Sequence, residues 1–291
     1  MNAATGVVAV IGAGLLGSAV VTEAGRQGHR AVALSGVRWR SDDALEDVQR
    51  QLTEIDRARG GRALTVMWTA GRGVPSSPES ELVRETRFLD RVLSEVIPAL
   101  RRDELSVVLA SSAGALHSSG EDLVIESSTP PIPLGTYGRH KLEQEQLLAQ
   151  CAHSHGIRAV AARITNVYGP GQSLSKPQGL ITRLCVSAAT RQITPITVPL
   201  DTQRDFVYVD DAASQLLDLA RTVGAPGRSE VGIVASGETV SLHRVIAVVG
   251  SQRASGRLLV NCRSTQELST GHCRFVPTAP GRHRPRRTLE S

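Results

Sequence analysis

The sequence predicts an α/β chain: a doubly wound parallel sheet followed by a smaller C-terminal substrate-binding lobe. Three observations predict it. Short apolar runs alternate with helical patterns over residues 1–165, as repeated strand–helix–strand units do. The chain is 41% hydrophobic but only 3% aromatic, so its core is built from Val, Leu, Ile and Ala, a composition that suits parallel strands covered on both faces. A glycine-rich turn joins the first apolar run to the first helical pattern, at the edge where open α/β sheets bind ligands.

The elements follow in order. Strands are predicted at Val7–Ile11, Ala31–Leu34, Leu64–Trp68, Ser106–Ala110 and Ala159–Arg163. Helices are predicted between and after them at Leu15–Gln27, Asp43–Arg57, Glu79–Leu100 and Tyr137–His155. Right-handed crossovers bring the carboxyl ends of such strands to one edge. Ser118–Gly135 and Pro170–Gly179 are rich in Ser, Pro and Gly and read as loops. Beyond Arg163 the pattern loosens into a helix at Leu180–Thr190, a strand edge at Asp205–Val209, a helix at Asp210–Thr222, a strand at Val231–Ala235 and a short helix at Leu242–Val249. This divides the chain into a nucleotide-binding domain over 1–165, to which 205–222 and 231–235 partly return, a substrate lobe over most of 166–276, and a Pro/Arg-rich mobile tail over 277–291.

Charge and cysteine usage exclude several classes. The net charge is +5, but Arg253–Arg287 alone holds eight arginines against one acidic residue, Glu267, and the rest of the chain is slightly acidic. The basic balance is therefore a tail property and not a nucleic-acid signal. The four cysteines, Cys151, Cys185, Cys262 and Cys273, form no CxxC pair and match no zinc spacing, so reduced thiols in a cytoplasmic protein and no metal are expected. The apolar run Val7–Val21 has no basic residue before it and contains spaced glycines. It reads as strand, turn and helix, not as a secretion signal. No apolar segment is long enough to span a bilayer.

Four groups of residues carry chemistry. Gly12-Ala13-Gly14-Leu15-Leu16-Gly17 follows a strand and opens a helix, the context in which GxGxxG binds a dinucleotide. There the free N–H groups and partial positive charge of the helix start face the phosphates. The second strand runs into Ser35-Gly36-Val37-Arg38-Trp39-Arg40 with no carboxylate at its tip. NAD-specific sites place an acid there, so Arg38 and Arg40 point to the 2′-phosphate of NADP ahead of NAD, or are solvated loop arginines. Ser111-Ser112 closes the fourth strand, where a serine can hydrogen-bond a substrate oxygen. Finally, only two lysines occur in the chain against 31 arginines, and Lys141 stands four residues after Tyr137. On a helix the two share a face. The ammonium is expected to lower the phenol's pKa and so fit Tyr137 for proton exchange.

In this order, the motifs resemble the extended short-chain dehydrogenase/reductase family, in its branch of nucleotide-sugar epimerases, dehydratases and ketoreductases. The matching residues are Gly12–Gly17, Ser111-Ser112-Ala113, Tyr137 with Lys141, Arg163-Ile164-Thr165-Asn166-Val167-Tyr168-Gly169-Pro170-Gly171, and Arg204-Asp205-Phe206-Val207-Tyr208-Val209-Asp210-Asp211. The resemblance implies a Rossmann-like fold with Tyr137 as general acid/base. It also implies that Lys141 binds the nicotinamide ribose and that Ser112, or failing it Ser111, orients the substrate oxygen. Gly12, Gly14, Leu15, Leu16, Gly17, Ser35, Arg38, Ala70, Tyr137, Lys141 and Pro170 would then hold the cofactor. Ser112, Asn166 and Arg204 would hold a nucleoside-diphosphate sugar, Arg204 as a planar fork for phosphate oxygens. Arg204 could instead pair with Asp205 or Asp210, and Asn166 could equally be a buried turn residue. The helices at Glu79–Leu100 and Tyr137–His155 occupy the positions that pair in family dimers, so a homodimer is expected.

The departures from the family narrow the reading. Val10-Ile11 stands where the family carries a Thr-Gly pair, and Ala113-Gly114 where the sugar dehydratases carry Asp-Glu. Without that carboxylate, elimination is disfavoured. Pro199–Gln203 replaces a glycine-rich approach to the Arg-Asp motif, and the C-terminal region is short. The expected activity is hydride transfer on a nucleotide-linked sugar, favouring a keto-sugar reductase. The alternatives are an epimerase with tightly held NAD, a reductase of another small carbonyl compound, or an inactive NADP-binding sensor on the same fold.

Overall fold

The computed structural model describes residues 6–117, 123–174, 179–251, 259–262 and 273–279. Six parallel strands form the central sheet: β1 (Val7–Ile11), β2 (Arg30–Ala33), β3 (Leu64–Trp68), β4 (Leu105–Ser112), β6 (Arg158–Ile164) and β10 (Ser229–Val234). Their order across the sheet is β2-β1-β3-β4-β6-β10, and every pairing is parallel. Helices α1 (Leu15–Arg26), α2 (Ala44–Ala58), α3 (Glu79–Arg91), α5 (Gly135–His155) and α7 (Val209–Thr222) cover it. A short helix α4 (Ala113–Leu116) caps β4, and β5 (Leu123–Ile125) follows.

Strand alternation explains the two-sided core. On one face Val7, Ala9, Ile11, Val66, Val107 and Ala159 pack against α2, α3 and α5. On the other, Val8, Val10, Met67, Val108 and Val160 pack against α1 and α7. The strands read as unbroken Val/Ala/Leu runs because both faces are buried. The path leaves β1 toward β2 and returns to β3 on the other side of β1. The switch point therefore lies between β1 and β3, which fixes the crevice at their carboxyl ends.

The second lobe holds β7 (Asn166–Tyr168), α6 (Leu180–Thr190), β8 (Ile193–Ile196), β9 (Gln203–Tyr208), β11 (Thr239–Ser241), α8 (Leu242–Ser251) and β12 (Leu259–Cys262). It has its own core of Leu184, Ile196, Phe206, Leu242, Val245 and Val249. The three-stranded sheet β11-β9-β7 joins its parts. A final strand, β13 (Cys273–Phe275), pairs with β5.

Two expectations change. The helix predicted to run from Glu79 to Leu100 ends as α-helix at Arg91, then widens into a π-turn at Val92–Val96 and tightens into a 3₁₀ turn at Ile97–Ala99. Pro98, which offers no N–H and crowds the preceding turn, sits in that last piece. The predicted loop Ser118–Gly135 contains β5, whose partner β13 lies far along the chain and leaves no local trace. Within it, residues 118–122 lie outside the described residues, as do 175–178 of the second loop and 280–291 of the expected tail. Among the described residues, no helix is long and apolar enough to cross a membrane, and Cys151, Cys185 and Cys273 are free thiols.

Candidate active site

The glycine turn is shaped by contacts that admit no side chain. Gly12 has φ +100°, and a Cβ there would overlap the backbone of Ala70 just beyond β3. A Cβ on Gly17 would overlap the carbonyl oxygen of Gly12, which also accepts a 2.7 Å hydrogen bond from Thr69 Oγ1. Ala70 thus abuts the turn across the switch point. Gly14, by contrast, faces open space. It is the N-cap of α1, with no side-chain cap and no acidic residue in the first turn. The first N–H groups of the helix therefore remain for an anion. Gly14 and Leu15 line a cavity of about 480 Å³ together with Pro170, Gly171, Tyr208 and Val209. The Leu16 side chain packs into the core beside α1 and α7, so only its backbone borders the turn. An open cradle at Gly14, an uncapped helix start and a facing Pro170–Gly171 turn fit a dinucleotide pyrophosphate.

The tip of β2 differs from expectation. Arg38 does not stand as an open phosphate fork. Its Nε and Nη2 donate to the two carboxylate oxygens of Asp47 at 2.9 and 3.1 Å, and its Nη1 donates to Asp43 at 2.6 Å. The cause is local. Helix α2 begins a few residues later, and its first turns aim Asp43 and Asp47 back at the loop. Asp47 is held at about 2, chiefly by the Arg38 side-chain hydrogen bond. The backbone of Ser35 is fixed by Gln51, which accepts from its N–H at 3.0 Å and donates to its carbonyl at 2.9 Å.

Tyr137 enters from the first turn of α5. Gly138 next to it lets that helix approach so closely that a Cβ would overlap the Ala115 carbonyl. This brings the phenol to the end of β4, where its hydroxyl is hydrogen-bonded to Ser112. Lys141 Nζ lies 5.8 Å from the Tyr137 ring centroid. The expectation that Lys141 depresses the phenol's pKa is not met in this free chain. Burial pushes Tyr137 up to about 12, the Ser112 hydrogen bond pulls it down in part, and the charge of Glu85 raises it. Burial also lowers the pKa of Lys141, against the favourable charges of Glu85 and Glu145. The ammonium donates to Gln144 Oε1 at 3.0 Å, and Gln144 donates in turn to Thr86 at 3.2 Å.

Behind the serine pair lies a buried polar cluster. Ser111 Oγ donates to Glu145 at 2.6 Å. Arg163, from the adjacent β6, forms a buried ion pair with the same carboxylate at 2.8 Å. His117 accepts from Arg163 at 3.3 Å, and its pKa falls to about 4, first through burial and then through the Arg163 charge.

The second lobe presents Asn166 and Arg204. Asn166 pairs in register with Phe206 on β9, two residues from Arg204, so both stand on one face of the small sheet. Asn166 Nδ2 donates to the Asp205 carbonyl at 2.8 Å. The Asp205 carboxylate is committed elsewhere, to Thr165, Ser236 and Gly237, and Asp210 lies 3.8 Å from Arg26. Burial lowers the pKa of Arg204, while Cys273 nearby favours the charged form.

Sequence reasoning missed Glu85, Gln144, Thr69, Glu145 and His117. Glu145 carried a signal, because it lies four residues after Lys141 and eight after Tyr137 on one helix face. Glu85 lies in a charged helix that reads as a solvated surface.

The sheet order, the glycine turn at its switch point and the Tyr–Lys helix beside it define an α/β protein of the dinucleotide-fold class. A profile described as the NAD dependent epimerase/dehydratase family matches residues 8–232. The chain belongs to that family. It is 31% identical over 121 residues to the dTDP-L-rhamnose 4-epimerase of Burkholderia thailandensis, covering 41% of this chain and 33% of the relative. It is 23% identical over 143 residues to the dTDP-4-dehydro-6-deoxyglucose reductase of Escherichia coli, covering 49% and 44%. The chain thus spans less than half the length of these relatives. In three dimensions it is similar to the UDP-glucose 4-epimerase of Thermus thermophilus in complex with NAD, with a TM-score of 0.73, 21% identity, and 93% and 90% of the two chains covered.

Proposed function

We propose that this protein is a nicotinamide-dependent oxidoreductase acting on a nucleotide-linked sugar, with Tyr137 as the proton-transferring group. The observation that carries the reading is the Tyr137–Ser112 hydrogen bond at the carboxyl edge of β4, beside Lys141 and near the crevice of the glycine turn. A bound nicotinamide would supply or accept the hydride. The chain's own part is the proton. In the reducing direction Tyr137 Oη gives its proton to the substrate oxygen, and in the oxidising direction the phenolate takes it back. Ser112 orients that oxygen. Lys141, released from Gln144, would reach the ribose hydroxyls.

A phenol pushed up to about 12 is protonated at neutral pH and enters the reaction as an acid. That suits the reducing step of either reading; the similarity to a dTDP-4-dehydro-6-deoxyglucose reductase supports the keto-sugar reductase. The similarity to a dTDP-L-rhamnose 4-epimerase supports the second reading, an epimerase, in which the same phenol works in both directions.

For the cofactor, the NADP reading rested on Arg38 and Arg40. Two carboxylates occupy the Arg38 guanidinium and the matching family is described as NAD dependent, which together favour NAD. The substrate class rests on Asn166 and Arg204, which share a face beside the site and suit a diphosphate. Thermal unfolding with a panel of nucleoside diphosphates and both cofactors tests the assignment. Ligands that bind the folded state raise the midpoint by mass action. No rise with any nucleoside diphosphate at millimolar concentration removes the nucleotide-sugar reading.

A further inference from the structure

None of the site residues assigned from the sequence is acidic, yet a carboxylate stands against Tyr137. Glu85, on α3, accepts the backbone N–H of Arg72 at 2.6 Å and that of Gly73 at 3.0 Å. These bonds fasten the loop that leaves β3 just past Ala70. The fastened loop lies on the phenol. A Cβ built on Gly73 would be 3.0 Å from Glu85 Oε2 and 3.6 Å from Tyr137 Cε2, so carboxylate and ring flank one point in the loop. Leu82 closes the same point from α3 at 2.7 Å.

We propose that Glu85 is a positioning residue with two effects: its carboxylate holds the loop after β3 against Tyr137, and its negative charge keeps that phenol a proton donor. This rests on the reading of Tyr137 as the acid of the site and extends it to a residue on another helix. The charges around the phenol support it. Lys141 lies beside the ring from α5 and Glu85 acts on it from α3, Glu145 acts on Lys141, and Arg72 belongs to the fastened loop. Ser112 faces it from β4 without charge, and His140 sits one helical turn away beside Thr86. Glu85 offsets the ammonium of Lys141, whose unopposed field would favour the phenolate. Glu85 is also among the groups acting on both partners, raising the proton affinity of Tyr137 and favouring the charged form of Lys141.

The test is a spectrophotometric titration of tyrosinate in the free protein. The chain has three tyrosines, and subtracting the curve of Tyr137→Phe isolates the one in question. Glu85→Gln keeps an acceptor oxygen for the loop and removes the charge. Tyr137 is expected to titrate about one pH unit lower in this variant, the usual size for a nearby charge. Amide exchange at Arg72 and Gly73 should change little. A folded Glu85→Gln protein whose Tyr137 titrates as in the parent overturns the proposal. If that variant does not fold, Glu85→Asp decides. Its retracted carboxylate should speed exchange at both amides about tenfold and lower the Tyr137 titration, and no change in either also overturns the idea. The titration needs neither cofactor nor substrate, so a wrong substrate assignment leaves it standing. Its own failure leaves the role of Tyr137 to turnover measurements.

Discussion

Ser111 and Ser112 are turned to opposite sides of β4: the Ser111 hydroxyl donates to buried Glu145 at 2.6 Å, while Ser112 bonds Tyr137. The alternation of a strand separates a structural serine from a site serine. Ser112→Ala is expected to lower turnover roughly 10- to 1,000-fold, the range for losing one oxygen-orienting group, with little loss of stability. Ser111→Ala is expected to do the reverse, costing about 1–3 kcal/mol because it leaves buried Glu145 short of a donor. Steady-state kinetics and urea unfolding on both variants check the split.

Cofactor preference follows from Arg38 and Asp47. With the guanidinium held by Asp47 and Asp43, Arg38 is not an open fork for a 2′-phosphate. NADH is expected to bind about tenfold more tightly than NADPH, about 1.4 kcal/mol, by fluorescence titration. Arg38→Ala should leave NADPH affinity unchanged. A large loss of NADPH affinity would mean that Arg38 leaves its carboxylates when the phosphate arrives.

The pH dependence of stability has a specific origin in His117. Its pKa is lowered from 6.5 to about 4 by burial and by Arg163. A base with a depressed folded pKa contributes stability that is complete above its unfolded pKa and is lost as pH falls through the folded one. The midpoint of unfolding should therefore fall between about pH 6.5 and pH 4, and His117→Gln should flatten that slope. An unchanged slope would place its origin elsewhere.

Arg59 provides a stability control far from the site chemistry. It is fully buried, pairs with Asp56 at 2.7 Å, and donates to the carbonyls of Arg62, Asp103 and Arg101. It thereby ties the end of α2 to the approach to β4. Removing one partner of a buried pair costs about 3–5 kcal/mol. Arg59→Ala should lose stability of that order in urea while the surviving folded fraction keeps its cofactor affinity.

The parts legible in the sequence are those fixed by local rules. Val7–Ile11 into Gly12–Gly17 reads correctly because strand period, turn glycines and helix start all lie within a short window. Strand β2 is off by one residue and β4 by one or two at its ends, as expected for edges set by tertiary pairing. Ser112, Tyr137 and Lys141 meet because β4 and α5 converge at Gly138, and their order along the chain was readable. The ionisation of Tyr137 was not readable. The i,i+4 spacing reveals Lys141 but neither the burial nor Glu85, which arrives from α3. Arg38 likewise reads as an open cation, because its acceptors Asp43 and Asp47 lie on a helix whose direction is set only by packing on the sheet.

Turnover of Tyr137→Phe tests the central claim most directly, measured on a nucleotide-linked keto-sugar with the cofactor that protects the parent protein from unfolding. The variant is expected to keep that thermal protection and to lose activity by about 100-fold or more, the contribution of a positioned proton donor. Activity equal to that of the parent, with protection intact, would contradict the account.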